Sequence, residues 1–98
     1  MKRITLCDLA NDANHYAFDA EITKNCLTLI GEMNQSQGAS EYYYFLDEEN
    51  TNKVFTTMHA KANDLEALKT RFHGLKASQE FREFCNAHKI RYAYHNIA

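Results

Sequence analysis

The sequence predicts a single α+β domain with the element order β-α-β-β-α-β, on three observations. The stretch Gly38 to Lys61 holds two runs rich in aromatic and β-branched residues, Y-Y-Y-F-L and K-V-F-T-T-M-H. They flank the polar run E-E-N-T-N, which is the composition of a β-hairpin with a short loop. Ahead of it, Phe18, Ile22, Cys26, Leu29, Ile30 and Met33 recur in steps near three and four, one apolar stripe of a helix. Behind it, Leu65, Leu68, Phe72 and Leu75 form one helical stripe and Phe81, Phe84, Cys85 and His88 another. The chain has 98 residues, so residues 1–98 make one domain. That length is enough for a hydrophobic core without disulfides or a metal.

In order, Arg3 to Leu9 reads as a first strand, with Ile4, Leu6 and Asp8 on one face and Thr5, Cys7 and Leu9 on the other. The polar cluster Ala10 to Asn14 ends it. The first helix starts near Tyr16 or Phe18 and runs to Met33, with Lys24, Asn25, Thr28 and Glu32 mostly off its stripe; Asn34 to Gly38 is loop. In the first hairpin arm Tyr42, Tyr44 and Leu46 share one face, Tyr43 and Phe45 the other, and Glu41 and Asp47 stand at the ends. A sheet with one wet face alternates apolar with polar, so this strand asks for cover on both sides. Asn63 with Glu66 three residues on is a variant of the capping box, opening a short helix that Gly74 ends. Ser78 caps the next helix. Ile90 to Ile97 closes the chain as a strand, with Ile90, Tyr92 and Tyr94 facing one way and Ala93, His95 and Ile97 the other.

This order matches the ferredoxin-like split βαβ arrangement, an antiparallel sheet with its second helix broken in two. Right-handed crossovers place both helical layers on one face. The opposite face stays bare, yet the aromatic strand is apolar on both sides. Two such sheets meeting face to face in a homodimer would satisfy both facts.

Bulk properties exclude several functions. A net charge of −2 and a pI of 6.2 argue against the basic face of a nucleic-acid binder and against a polybasic membrane anchor. The apolar runs are too short to span a bilayer, and the run behind Met1-Lys2-Arg3 breaks at Asp8, leaving no signal-peptide core. Cys7, Cys26 and Cys85 are odd in number and widely spaced, which fits reduced thiols of a cytoplasmic protein. Cys85-x-x-His88 offers two ligands with no second pair at zinc spacing, so no metal is expected. The sequence has no glycine-rich phosphate loop, no G-x-S-x-G and no H-E-x-x-H.

Several residues carry a family resemblance. The spacing Gly38-x-x-x-Tyr42, the run Tyr42 to Asp47, the stretch N-D-L-E-A-L after the hairpin, and S-x-x-F-x-x-F at Ser78, Phe81 and Phe84 resemble the antibiotic-biosynthesis-type monooxygenases. That family includes quinol monooxygenases and heme-degrading monooxygenases. The resemblance implies a dimeric α/β barrel with a pocket in each subunit between sheet and helices. It also implies oxidation of a small aromatic or quinol-like substrate by O2 with no cofactor. In that chemistry the protein deprotonates the substrate, holds the electron-rich anion and excludes water. Two positions depart from the pattern. The chain has no tryptophan, which the family often places near the end of the third strand. Leu75 stands three residues before Ser78, where the family usually carries a histidine; His73 is two residues earlier. Asp8 lies near the position of a family asparagine on the first strand.

The candidate catalytic residues are Asp8, His73 and His59. A neutral imidazole at His73 takes a phenol proton near neutral pH; the alternative is a helix-terminal histidine interacting with the dipole. Asp8 on the Ile4 and Leu6 side would be buried with a raised pKa, or solvated if the strand ends at Cys7. His59 shares a strand face with Phe55 and Thr57, placing it in a pocket, an interface or at the strand's wet end. Tyr42, Tyr44, Phe72, Phe81 and Tyr92 are the candidate substrate-binding wall, since aromatics suit a flat organic ligand. The alternative is that they are core. Two other functions keep the fold. One is a non-catalytic dimeric protein that binds a small ligand or assembles. The other is heme binding or degradation, with an axial ligand such as His73.

Overall fold

The computed structural model describes residues 1–11, 13–35 and 38–97. Within them the chain forms β1 (Lys2–Ala10), β2 (His15–Thr23), β3 (Cys26–Gln35), β4 (Gly38–Phe45), α1 (Glu48–Thr57), α2 (Leu65–Arg71), α3 (Ala77–Ala87) and β5 (Ala93–Ile97). The α+β class holds, as does an antiparallel sheet with helices on one face. The order does not. Four strands come first, three helices follow, and the sheet is a five-stranded meander in the order β1-β2-β3-β4-β5. That is not the ferredoxin-like βαββαβ order, and it corrects the expected fold.

Two segments account for the difference. The predicted first helix is the β2–β3 hairpin. Phe18, Ala20 and Ile22 are buried, as are Leu27 and Leu29, while Asp19, Glu21, Thr28 and Ile30 between them are only partly covered. That is a period of two. The strands join through Lys24 and Asn25, both with positive φ (53° and 63°), as a two-residue hairpin turn of the I′ type requires. The apparent three-four spacing arises from taking residues off both strands and both faces.

The predicted hairpin loop and the first half of its second arm, to Thr57, form α1 instead. Asp47 caps it, its Oδ1 accepting from the Asn50 N–H at 2.8 Å, and Glu48 and Glu49 lie near the positive end of the helix dipole. Thr51, Val54 and Phe55 are buried, and Met58 packs against the same core, a step pattern of three, one and three. A buried hydrogen bond pins this helix to the sheet, the Leu27 N–H donating to Thr51 Oγ1 at 2.8 Å. Asn50 Oδ1 accepts from the Arg91 N–H at 2.8 Å and so holds the approach to β5.

The rest follows the sequence more closely. β1 lies where expected. The break between α2 and α3 falls around Gly74, whose φ of 85° suits a residue without Cβ. Asp64 rather than Asn63 caps α2. Ser78 lies inside the first turn of α3 and does not cap it. β5 begins at Ala93, and Ile90 before it is buried. Of the expected loop at Asn34 to Gly38, Asn34 and Gln35 end β3 and Gly38 opens β4; Ser36 and Gln37 lie outside the described residues, as does Asp12 of the polar cluster after β1.

The core lies between the sheet and the helices, with Tyr44 at its centre, 1% exposed. Its ring meets Phe81 at 6.0 Å, Tyr92 at 5.1 Å and Tyr94 at 5.2 Å between centroids. No helix among the described residues is long and apolar enough to cross a membrane.

A small cavity between sheet and helices

A glycine in mid-strand starts the site. Gly31 of β3 faces the helices between Phe18 of β2 and Tyr42 of β4. The Tyr42 ring lies flat across it; a Cβ at position 31 would sit well inside van der Waals contact with the ring carbons. Phe18 stacks on Tyr42 at 6.1 Å with an interplanar angle of 26°. The aromatic pair is thus spread over bare backbone, and a cavity of about 160 Å³ opens beside it.

Cys7, Tyr16, Phe18, Met33 and Tyr42 wall the cavity from the sheet, and Gly74, Leu75 and Ser78 wall it from the α2–α3 turn. Ala17 and Glu32 border it from the sheet as well, but alternation puts their side chains on the opposite face. Cys7 reaches the cavity through a β-bulge. Thr5 pairs with Asp19 and Cys7 with Phe18, so Leu6 is an extra residue in β1. Both Leu6 and Cys7 are buried.

Cys7 and Tyr42 keep their protons at physiological pH. Burial pushes the Cys7 thiol up, and nearby Asp8 adds to the effect. Burial also raises the Tyr42 phenol, partly opposed by a hydrogen bond with Ser78. Ser78 Oγ lies 3.1 Å from the Tyr44 hydroxyl, so three hydroxyls meet at one end of an otherwise apolar wall. The cavity presents hydrogen-bonding groups but no side chain, among the described residues, that would accept a proton near pH 7.

The expected catalytic residues do not meet there. The bulge turns Asp8 away from Ile4, and it lies exposed on the open face of the sheet, its Oδ1 accepting from His15 Nε2 at 2.7 Å. His73 is exposed beyond α2, with Nδ1 donating to the Lys69 carbonyl at 3.0 Å. His59 is exposed in the turn after α1, not in a strand. Of the expected substrate wall, Tyr42 lines the cavity and Tyr44 touches it through Ser78. Phe72 and Phe81 are fully buried packing partners at 5.5 Å, and Tyr92 packs on Tyr44. Sequence reasoning missed Cys7, Tyr16, Phe18, Met33 and Ser78 as a group. Gly31 was the available signal, since a glycine inside a strand marks a close approach. Among the described residues no group of three His, Cys, Asp or Glu side chains is placed to hold a metal. No family model, no curated protein and no solved structure matches the chain.

Proposed function

We propose that the chain is a non-catalytic binding protein that holds one small aromatic molecule, a single substituted ring, between its sheet and its helices. The cavity's size and lining carry this reading. Its volume of about 160 Å³ matches the ~150 Å³ that accommodates benzene in an apolar protein interior. It falls short of the roughly 300–1,000 Å³ typical of larger ligands. Phe18, Tyr16 and Tyr42 supply aromatic surface, and the hydroxyls around Ser78 orient one polar substituent.

The choice of binding over turnover rests on proton chemistry. A monooxygenase acting directly on a phenol or quinol needs a group that removes the phenolic proton. Cys7 and Tyr42 hold their own protons at neutral pH, and Asp8, His73 and His59 lie elsewhere.

Phenol, hydroquinone and 2-naphthol titrated into the 15N-labelled protein test the reading. Saturable shifts centred on Cys7, Tyr42 and Ser78 are expected for the one-ring compounds and not for naphthol, with weaker phenol binding in Ser78→Ala. Absence of saturable one-ring binding removes the proposal. Oxygen uptake with hydroquinone above the uncatalysed background would instead restore the enzyme reading.

A further inference from the structure

The second site lies on the other side of the sheet and is independent of the cavity. Arg3, Glu32, Glu41, Tyr43, Phe45 and Ile97 sit on strand positions that alternate away from the helices. Tyr43 and Phe45 stack at 5.6 Å with an angle of 11°, and Phe45 and Ile97 are 45% and 48% exposed. Tyr43, Phe45 and Ile97 thus form an aromatic and apolar patch on β4 and β5, with His95 beside Tyr43. Carboxylates surround them, and the guanidinium on this face, Arg3, is engaged at its far side by Asp19 at 2.8 Å and Glu21 at 3.2 Å.

Beside the apolar strip, Glu32 of β3 and Glu41 of β4 are direct cross-strand partners. Like charges set opposite one another destabilise a sheet. Among the described residues only Glu41 has a hydrogen-bond partner here, its Oε2 accepting from the Tyr43 hydroxyl at 3.0 Å, while Arg3 lies near Glu32; the two carboxylates together leave this spot negative. A hollow of about 240 Å³ opens between them, lined also by Asn34, Ala39 and Ile97. Its walls match a long basic side chain, with Ala39 and Ile97 for the methylene stem and two carboxylates for the charged head.

We propose that this open face docks a cationic segment of a partner protein, one of whose lysine or arginine side chains enters the hollow between Glu32 and Glu41. The aromatic strip supplies contact area and the carboxylates supply the sign. A second copy of the chain is a poorer fit, because face-to-face pairing brings the same carboxylates together. The charge on this face therefore turns the homodimer expected from sequence into the competing occupant.

A short synthetic peptide alternating lysine with leucine, and a control with glutamate for lysine, test the proposal by NMR titration of the full chain. The lysine peptide is expected to shift β3, β4 and β5 amides saturably, and the control to leave them unmoved. Glu32→Gln with Glu41→Gln should weaken binding by about ten-fold or more. The same double variant should melt no lower than wild type, which separates lost docking from lost folding. Shifts absent or centred elsewhere, or unchanged affinity in the double variant, overturn the proposal. So does a dimer in sedimentation that Phe45→Ser abolishes, since the occupant would then be a second copy.

Discussion

Tyr44 and Phe45 are neighbours in the chain and similar in size, yet one is 1% exposed and the other 45%. The pleat assigns them to opposite faces of β4, and three helices cover only one of those faces. On the covered face Tyr44 packs among Phe81, Tyr92 and Tyr94, and the buried polar atoms are paired, as at Thr51 with Leu27 and at Ser78 with Tyr44. On the open face, aromatics stand among carboxylates, some paired with Arg3 or His15, and Glu32 and Glu41 sit directly opposite each other. Burial on one side serves stability. The composition of the other is better explained by recognition, since an uncovered sheet face built only for stability would be polar and charge-balanced.

The sharpest way to break this comparison is to truncate the two neighbours. Tyr44→Ala should cost about 3–5 kcal/mol, as large-to-small changes at buried aromatics do. Phe45→Ala should cost under about 1 kcal/mol. Urea unfolding of both variants decides, and equal losses would mean that the outer face is also core. Next in size is Gly31→Ala, in which the new methyl meets the Tyr42 ring. A cost of about 1–3 kcal/mol is expected from overpacking, together with loss of phenol binding. Adding Tyr42→Ala should return part of the stability but not the ligand, a pattern that a double-mutant cycle resolves.

Smaller, and opposite in sign, is Glu32→Gln. Relieving the cross-strand repulsion with Glu41 should stabilise the fold by roughly 0.2–1 kcal/mol, read as a rise in melting temperature. A fall would show that Glu32 has a structural role. The smallest effect concerns Asp47, where the chain leaves the sheet for the helices. Hydrogen bonds from the Asn50 N–H, then from the Asn50 side chain, hold its carboxyl below the usual range. Its contribution is therefore present above the ordinary carboxylate pKa and is lost as pH falls through the lowered folded value. Wild type should be the more stable of the two above that window, and acid titrations of wild type and Asp47→Asn should converge as pH falls through it; identical profiles throughout would discount the cap.

The sequence was most informative where one periodicity acted alone. The alternation from Tyr42 to Phe45 correctly divided β4 between two faces, and the apolar steps Leu65, Leu68 and Phe72 and Phe81, Phe84 and Cys85 are buried as read, whereas Leu75 and His88, the last members of those stripes, are exposed. It misled where two periods overlapped. Phe18, Ile22, Cys26, Leu29, Ile30 and Met33 fit a helix as well as two strands, and only the left-handed pair Lys24 and Asn25 separates the readings. Val54, Phe55, Thr56 and Thr57 are strand-forming types by composition, yet the cap at Asp47 and burial of Thr51, Val54 and Phe55 make them helical. Tyr42, expected in the wall of a pocket because aromatic character is visible in sequence, does line the cavity. Cys7 was not expected there, because a bulge of one residue at Leu6 decides its face and local pattern does not announce it.

That bulge has a consequence for how the protein avoids self-templating. β1 and β5 are the two edges of the sheet, and a free edge invites strands from other molecules. In β1 the extra residue breaks the regular row of donors and acceptors, and the Leu6 carbonyl is taken by the Gly74 N–H at 3.0 Å. Lys2 and Arg3 add charge to the same border, while β5 is only five residues long. Deleting Leu6 would straighten that border and release Gly74 from it. The chain would then present a continuous row of unpaired groups, and fibril growth would be the expected result.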